Sequence, residues 1–401
     1  MGCIASSPVR LARLHVAGLL LAVLGCGEEI TSPTTSEHPP ALASEAAATL
    51  AFIQVSGGGN HSCGVTADNR VYCWGYNYEG QLGDGTNTRR LRPVAIGGAL
   101  RFRQVTAGYA HTCGVTPDNR AYCWGENSAG TLGDGSNTNR STPVAVAGGH
   151  LFRRLDAGSS FTCGVSYPDN RAYCWGYNDR GNLGDGSTSK RATPAAVSGG
   201  LQFREVRAGL DATCGVTPTN LAYCWGSDSV GQLGNGEGDN SSTTPSPVAG
   251  GRRFSQVDAG SAFACGVTTG NRAFCWGSGR RGQVGDGKTF LRSTPRAVAG
   301  GLSFERVTTG ESHTCAEATD NRAYCWGNNF NGQLGDGTNT PRLTPVAVAG
   351  GRFFSQVSAG DNHTCGRTGA NVAYCWGRNE YGQIGDGTTT DRLRPVAVAG
   401  P

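Results

Sequence analysis

Short runs of alternating or β-branched residues recur along this chain, separated by Gly, Asn and Asp. In the last repeat such runs begin at Phe354, His363, Ala373 and Pro395, with Gly-Gln-Ile-Gly-Asp-Gly beginning at Gly382. Short runs with a two-residue period are typical of β-strands, and Gly, Asn and Asp are typical of the turns between them. The repeats contain no pattern that would sustain a helix. We therefore predict four strands per repeat, with turns supplied by the 64 glycines.

The unit occurs seven times, and its spacing predicts the fold. Each copy contains Cys-Trp-Gly, which includes every Trp of the chain, and consecutive tryptophans lie 50 or 51 residues apart. This spacing is typical of solenoids and propellers. Because one four-stranded unit cannot bury both faces alone, we expect an all-β, seven-bladed β-propeller of four-stranded antiparallel blades, with each Trp between neighbouring sheets. The propeller is expected over residues 49–401, with repeats at about 52–100, 102–150, 152–200, 203–251, 254–301, 304–351 and 354–400.

The N-terminus has the pattern of a targeting segment. Arg10 and Arg13 precede an apolar run that is too short to span a bilayer but has the length of a signal-peptide core. The run ends in Val-Leu-Gly followed by Cys26, which resembles the bacterial lipobox. We expect a lipoprotein signal peptide at residues 1–25, lipidation of Cys26, and a flexible Ser/Thr/Pro-rich tether at residues 26–48.

This interpretation predicts an exported, lipid-anchored protein that touches a membrane only through its N-terminal anchor. Gly27 stands where an Asp is linked to inner-membrane retention, so the resemblance favours the outer membrane or the cell surface. The alternative is an ordinary cleaved signal with an unmodified Cys26, which would give a periplasmic or secreted protein.

The cysteine count supports export independently. Of 16 cysteines, Cys3 would leave with the signal and Cys26 would be acylated, so two remain for each of seven repeats. Folding the segment between them as a hairpin places the two cysteines opposite each other, within reach of a disulfide. Zinc is the competing interpretation, but its ligands usually lie closer together and two more are needed. We expect disulfides at Cys63-Cys73, Cys113-Cys123, Cys163-Cys174, Cys214-Cys224, Cys265-Cys275, Cys315-Cys325 and Cys365-Cys375.

Several recurring elements match a known family. Gly-Gly-x-x-Phe, Ala-Gly-x-x-His-Thr, Tyr-x-Trp-Gly-x-Asn-x-x-Gly-Gln-Leu-Gly-Asp-Gly and a trailing Pro-Val resemble the regulator of chromosome condensation repeat, which forms a seven-bladed β-propeller. The resemblance covers about 350 residues. The His position instead holds Phe161, Ala212 and Phe263 in three copies, and Asn235 replaces Asp in one. A Cys before each Trp also separates this chain from intracellular members.

The resemblance implies more than one function. The founding member is a guanine-nucleotide exchange factor that also docks on chromatin, and secreted bacterial relatives include an inhibitor of β-lactamase. Because the signal sequence would remove the chain from cytosolic GTPases, exchange activity is the weakest expectation. We expect a surface-tethered or secreted scaffold that binds a protein or a glycan. An inhibitor of an envelope or extracellular enzyme is the alternative.

The strand order predicts where a ligand would bind. In a four-stranded antiparallel blade, the connections between the first and second strands and between the third and fourth strands emerge on the same face. Both sets vary between repeats, whereas the other connections are nearly constant. Aromatic and Arg residues are frequent hot spots of interfaces. The candidate contacts on this face are Tyr76, Tyr78, Glu79, Tyr109, Tyr177, Arg180, Arg280, Arg281, Phe330, Arg378 and Tyr381. The alternative is that these loops vary because nothing constrains them.

Enzymatic and nucleic-acid functions have little support in the sequence. Six Gly-Asp-Gly carboxylates occupy equivalent places in separate blades, which keeps them from pairing for acid/base chemistry: Asp84, Asp134, Asp185, Asp286, Asp336 and Asp386. One His per blade is a poor metal cage, and we expect a hydrogen-bonded structural role for His61, His111, His313 and His363. The formal charge is +4, or +2 once Arg10 and Arg13 are removed, which does not favour a nucleic-acid partner. We expect a monomer that is not an enzyme, with no metal or cofactor.

Overall fold

The computed structural model describes residues 50–238 and 240–401, which form seven four-stranded antiparallel sheets. Within every sheet the strands pair in chain order, so that one sheet corresponds to one repeat. The first strands of neighbouring sheets contact one another around a closed ring. The prediction of an all-β, seven-bladed propeller is confirmed. The predicted signal peptide, Cys26 and the tether lie outside the described residues.

Each blade takes its four strands from one stretch of chain. Blades one and two contain β1 (Phe52–Gly57), β2 (His61–Thr66), β3 (Val71–Gly75), β4 (Arg90–Ala95), β5 (Gln104–Ala107), β6 (His111–Val115), β7 (Ala121–Gly125) and β8 (Arg140–Ala145). Blades three and four contain β9 (Phe152–Ala157), β10 (Phe161–Ser166), β11 (Ala172–Gly176), β12 (Arg191–Ala196), β13 (Glu205–Ala208), β14 (Ala212–Val216), β15 (Ala222–Gly226) and β16 (Ser242–Pro247). Blades five to seven contain β17 (Phe254–Ala259), β18 (Phe263–Thr268), β19 (Ala273–Gly277), β20 (Arg292–Ala297), β21 (Phe304–Thr309), β22 (His313–Ala318), β23 (Ala323–Gly327), β24 (Arg342–Ala347), β25 (Phe354–Ala359), β26 (His363–Thr368), β27 (Ala373–Gly377) and β28 (Arg392–Ala397). A 3-10 turn at Ala147–Gly149 is the one helical segment of the described residues.

The turn between the second and third strands links each blade to the next. Its Asn has a φ between 57° and 68° in all seven blades, a left-handed conformation that Asn tolerates better than most residues. In blade one the backbone carbonyl of Asn69 accepts a hydrogen bond from the backbone N–H of Phe102 in blade two, at 2.8 Å. The left-handed backbone at this turn favours Asn, which is present there in all seven blades.

The hydrophobic core lies between blades. At the first interface, Cys63 and Cys73 of blade one pack with Phe102 and Trp124 of blade two. The indole N–H of Trp124 donates to the backbone carbonyl of Gln81 at 3.0 Å. Burying a ring of this size removes roughly 200 Å² from water and stabilises the interface by several kcal/mol before the entropy of ordering is counted.

The first Gly of each Gly-Asp-Gly element is required by this packing. Gly83 has a φ of 71°, and a Cβ there would lie 2.6 Å from the indole nitrogen of Trp124. A side chain at Gly83 would therefore push the two blades apart. The Trp of one blade therefore packs against the Gly-Asp-Gly element of its neighbour.

One disulfide is present in each blade, as the sequence predicts. The paired cysteines lie directly opposite each other on the second and third strands, with Cα atoms 4.0 to 4.1 Å apart. All fourteen of these cysteines are fully buried. The seven disulfides indicate an oxidising, exported environment.

The ring closes without a shared blade, which the sequence left open. β1–β4 and β25–β28 form separate sheets, and the interface between them has the same composition as the others, with Trp74 packed on Cys365 and Cys375. The backbone N–H of Phe52 donates to the carbonyl of Asn371 at 2.9 Å, which repeats the bond between the first two blades.

A ring of glycines surrounds the central opening where the first and second strands connect. A Cβ at Gly310 would lie 2.2 Å from the carbonyl oxygen of Gly360, and one at Gly360 would lie 2.4 Å from the carbonyl oxygen of Gly58. The same close approach recurs at every blade. The Gly that follows the first strand in every blade therefore permits the seven connections to meet backbone to backbone.

Candidate functional site

The two variable sets of loops lie on the same face of the ring, as the strand order predicts. In blade one the backbone N–H of Tyr76, after the third strand, donates to the carbonyl of Asn60, in the loop after the first strand, at 2.9 Å. Residues from both sets also line one shared pocket. We call this side of the propeller the variable face.

Three of the predicted contacts form an aromatic cluster on the variable face. The ring centroids of Tyr76 and Tyr78 are 4.7 Å apart, and those of Tyr76 and Tyr381 are 5.0 Å apart. Tyr78 is 58% exposed, although it belongs to this cluster. Tyr76 and Tyr381 come from the first and last blades, so the cluster exists only because the ring closes.

A pocket of about 390 Å³ lies beside this cluster. Its walls include the predicted contacts Tyr76, Glu79, Tyr109 and Tyr381. Burial raises the pKa of the Tyr76 hydroxyl, and the nearby Glu79 and neighbouring tyrosines raise it further. The structure thus brings four of the candidate residues around one concavity.

Six residues of this pocket were not among the predicted contacts: Asn60, Gln81, Ala110, Glu126, Ser159 and Ser160. Asn60, Ala110, Ser159 and Ser160 lie in the variable loops between first and second strands. Gln81 belongs to the constant Gly-Gln-Leu-Gly-Asp-Gly element, whose repetition indicated a purely structural role. Glu126 lies in the variable segment after Trp124, and that position is the signal that would have identified it.

The remaining candidate contacts lie outside the pocket. The Arg378 guanidinium lies 5.9 Å from the ring centroid of Tyr381, at the edge of the cluster. Arg281 lies 5.4 Å from the ring centroid of Phe330, and Tyr177 lies 5.3 Å from the Lys190 ammonium. The other two, Arg180 and Arg280, are exposed. The candidate residues therefore form one cluster and separate smaller groups in other blades.

The variable loops are held by buried polar side chains. The amide nitrogen of Asn77 donates to the carbonyls of Thr86 and Thr88 at 3.0 and 3.1 Å, and its oxygen accepts from the N–H of Leu82 at 2.9 Å. Asn127, Asn178, Asn329 and Asn379 bond in the same way in their blades. Such loops present their side chains from a fixed backbone, which lowers the entropy lost on binding.

The Gly-Asp-Gly carboxylates bond within their own loops. Asp84 accepts hydrogen bonds from the N–H and hydroxyl of Thr86 and pairs with Arg90 at 2.7 Å. Burial acts to raise the pKa of Asp84, but the bonds from Thr86 and Arg90 outweigh it and hold the pKa below its usual value. The same carboxylate and Arg pair in the other blades that carry the Asp. These carboxylates stabilise the loops through hydrogen bonds and ion pairs within each loop.

The four histidines bond between neighbouring blades. His61 Nε2 lies 2.8 Å from the hydroxyl of Thr112, which itself donates to the carbonyl of Gln81, so the imidazole is the donor. Burial, with smaller contributions from His111 and His363, lowers the pKa of His61 to about 3. No group of three or more potential metal-ligating side chains occurs in residues 50–238 and 240–401.

Replacing His111 with Phe is expected to reduce the acid sensitivity of the propeller. Burial lowers the pKa of His111 to about 4, although Glu126 acts to raise it. A histidine whose pKa is lowered in the folded state stabilises the fold at pH values above its unfolded pKa near 6.5. That contribution is lost as the pH falls toward 4. Between pH 7 and pH 4, the free energy of unfolding of the parent should therefore fall by about 2–3 kcal/mol more than that of His111→Phe.

Denaturant unfolding across this pH range checks the result. Phe already occupies the same position at Phe161 and Phe263, where it is fully buried, so the variant should fold normally at pH 7. If the free energy of unfolding of parent and variant depended on pH in the same way, the prediction that His111 is buried and neutral would be contradicted.

A central channel of about 850 Å³ is lined by the first strands of all seven blades. Polar side chains in these strands bond to the next blade. The amide of Gln54 donates to the carbonyl of Val105 at 2.7 Å and accepts from its N–H at 3.0 Å. Gln104, Gln256 and Gln356 repeat this pair of bonds. These glutamine bonds therefore join neighbouring blades along the channel wall.

Blades three to five carry charged residues at channel positions that hold Gln, Ser or Thr in other blades, although Gln256 of blade five keeps its neutral bonds. Arg207 lies 3.1 Å from Asp156, 3.6 Å from Glu205 and 3.7 Å from Asp258. Burial raises the pKa of Asp258 to about 7, against the opposing effect of Arg207. Arg154 also pairs with Glu205 at 3.0 Å. This channel cluster was not predicted from the sequence; charged residues at positions that hold Gln, Ser or Thr in other repeats were its signal.

Family models match most of the repeat region. The RCC1-like domain matches residues 151–401, and the regulator of chromosome condensation (RCC1) repeat matches residues 52–81 and 102–131, and in a second model 68–115 and 118–165. The ultraviolet-B receptor UVR8 of Arabidopsis thaliana is 38% identical over 52 residues. That match spans 13% of this chain and 12% of the receptor.

Solved structures share the fold at low sequence identity. Yeast RCC1 (Prp20), in its complex with Kap60, has a TM-score of 0.74 and 21% identity, covering 82% of this chain and 83% of that one. Human WBSCR16 has a TM-score of 0.75 and 19% identity, covering 83% and 94%. The ectodomain of the Arabidopsis thaliana receptor kinase ACR4 has a TM-score of 0.55 and 20% identity, covering 88% and 99%. Identities in this range show the fold alone.

The domain model spans more than half of the chain, and the repeat models cover much of the remainder. The seven blades, their strand order and the packing of Trp between them agree with those matches. Proteins with this propeller are mainly binding or regulatory proteins. The chain belongs to the RCC1-like propeller family.

Proposed function

We propose that this protein is an exported binding scaffold that recognises a protein partner through its variable face. The observation that carries the proposal is the cluster of Tyr76, Tyr78 and Tyr381 on rigid loops beside a pocket. Exposed aromatic side chains around a concavity are typical of interface hot spots. Tyr109, which lines the pocket and is 50% exposed, enlarges the same surface.

Attachment to a membrane through Cys26 is part of this proposal and stays a prediction. Within residues 50–238 and 240–401 there is no helix with the length and apolar character that crossing a bilayer requires. The buried disulfides support an oxidising location for the propeller. A lipid at Cys26 would hold the propeller near a membrane while the variable face remains available for binding.

Alanine substitution of Tyr76, Tyr78 and Tyr381 together is expected to weaken partner binding at least about 30-fold, because hot-spot residues each contribute 2 kcal/mol or more. The measurement has two steps. The oxidised full-length protein first captures partners from the envelope and secreted fractions of its own organism, and the affinity of each captured protein for parent and variant is then measured by surface plasmon resonance.

A matched control uses an aromatic residue on the opposite face. Tyr167 lies in the turn between β10 and β11 and is 47% exposed, so Tyr167→Ala removes a similar surface without touching the variable face. Partners lost equally from both variants would indicate non-specific adhesion. A partner that binds the triple variant as well as the parent would show that the variable face is not the binding surface.

A further inference from the structure

The pocket beside the aromatic cluster combines aromatic rings with negative charge. Three tyrosines, Tyr76, Tyr109 and Tyr381, line it together with two glutamates, Glu79 and Glu126. No Lys, Arg or His side chain contributes to its walls. Aromatic faces attract cations through their quadrupole, and carboxylates attract them directly.

Neither carboxylate is neutralised by a base within the described part of the chain. Glu79 accepts a hydrogen bond from the side-chain amide of Asn139 at 2.6 Å. Glu126 accepts from the N–H of Ser128 at 2.6 Å and from the hydroxyl of Thr131 at 3.1 Å. All of these donors are neutral, so the negative charge of both glutamates remains available to a ligand.

Two bases lie close to this site without lining the pocket. Buried His111 is influenced by Glu126, but its pKa is lowered to about 4, so it is neutral near pH 7. Arg378 forms a salt bridge with Glu380 and lies beside Tyr381, but it does not line the cavity. Its guanidinium lies 5.9 Å from the Tyr381 ring centroid, within the range of a cation–π contact.

A buried polar group in the pocket wall also lacks a partner. Gln81 is 1% exposed, and its side-chain Nε2 has no hydrogen-bond acceptor among the described residues. Buried donors are almost always paired. The wall of the pocket therefore contains an unsatisfied donor.

We propose that this pocket receives a positively charged lysine or arginine side chain of the protein partner. The cation would lie among the three phenol rings, with Glu79 and Glu126 balancing its charge. A sugar would also stack on tyrosine, but two unneutralised carboxylates beside the rings suit a cation better. This inference rests on the proposed function and specifies the chemistry of its partner.

Small probes test the pocket without a known partner. The full-length oxidised protein, labelled with 13C in its tyrosine rings, is titrated with N-acetyl-lysine methylamide and N-acetyl-arginine methylamide. The neutral probes are N-acetyl-norleucine methylamide and methyl glucoside. We expect saturable shifts of the Tyr76, Tyr109 and Tyr381 ring signals with the cationic probes, at affinities at least about tenfold tighter than with the neutral ones.

Substitution of the glutamates tests the role of charge. Glu79→Gln with Glu126→Gln should weaken the lysine probe about tenfold, because both side chains keep their shape and lose their charge. The matched control is Glu237→Gln with Glu305→Gln, which removes the same charge at exposed positions outside the pocket and should change the affinity less than about twofold.

Three results would overturn the inference: no saturable shift with either cationic probe, equal affinity for norleucine or glucoside, or tighter binding of tetramethylammonium than of both amino-acid probes. The last result would indicate a site for a small free cation. Each of these results leaves capture of a partner by the variable face intact, so the inference and the proposed function fail separately.

Discussion

Reduction of all seven disulfides is expected to unfold the propeller under conditions in which the oxidised protein is fully folded. Each bridge closes a loop of 10 or 11 residues, and in the chain-entropy account each stabilises the fold by about 3 kcal/mol. Seven such contributions together exceed the roughly 5–15 kcal/mol net stability of a typical folded domain. The cysteines also form part of every core between blades, so the effect should spread around the whole ring.

Calorimetry with and without a phosphine reductant measures this effect. Because all fourteen cysteines are fully buried in bridges, the phosphine should cleave the bridges, and an alkylating agent should then modify the resulting thiols, only after heat or denaturant opens the protein. The matched variant is Cys214→Ala with Cys224→Ala, which removes one bridge and should cost about 3 kcal/mol. A reduced protein with an unchanged melting temperature would show that the core between blades suffices without the bridges.

Replacing Arg207 with Met is expected to destabilise the propeller by about 3 kcal/mol, since breaking a shielded ion pair leaves its partners uncompensated. Arg207 is 19% exposed, and its partners Asp156, Glu205 and Asp258 are 7% to 17% exposed. Met has a similar length but carries no charge. Three carboxylates would then face one another across the channel with less positive charge among them.

The loss should depend on pH in a defined direction. Without Arg207, the folded pKa values of Asp156 and Asp258 rise further above the unfolded value near 4. A carboxyl with a raised folded pKa stabilises the fold below its unfolded pKa, and this contribution is lost as the pH rises through the folded pKa. The deficit of Arg207→Met should therefore be small near pH 4 and largest above pH 7.

Guanidinium unfolding of the oxidised protein at several pH values provides the measurement. Arg120→Met is the matched control, because Arg120 pairs with Asp118 on the surface, where both side chains are more than 60% exposed. Exposed pairs contribute about 0–1 kcal/mol. Equal losses from the two substitutions, or a deficit that does not change with pH, would contradict the central role of Arg207.

The fold was predictable because its determinants repeat within each unit. The spacing of Trp74, Trp124 and their equivalents predicted seven blades, and the hairpin between Cys63 and Cys73 predicted the bridge. Both depend on residues close together in the chain. The Ala-Gly and Gly-Asp-Gly elements were recognised as recurrent, but their physical reason required coordinates: Gly83 faces an indole of the next blade, and Gly310 faces a backbone carbonyl.

The candidate site was predictable only in part. Strand order placed both variable loops on one face, and the aromatic residues among them included Tyr76, Tyr109 and Tyr381. The sequence did not indicate that these three meet around one pocket, while Phe330 and Tyr177 belong to other blades. Closure of the ring decides which loop residues meet, because Tyr76 and Tyr381 come from opposite ends of the repeat series.

The sequence by itself determined the number of blades, the order of their strands and the pairing of fourteen cysteines, because each depends on contacts within one repeat. Only the tertiary structure decided how the ring closes, which loop residues share a pocket, and that Arg207 meets Asp156, Glu205 and Asp258 in the channel. These features join side chains from different blades. Their contacts follow from the packing of seven sheets around one axis, and no pattern within a single repeat specifies that arrangement.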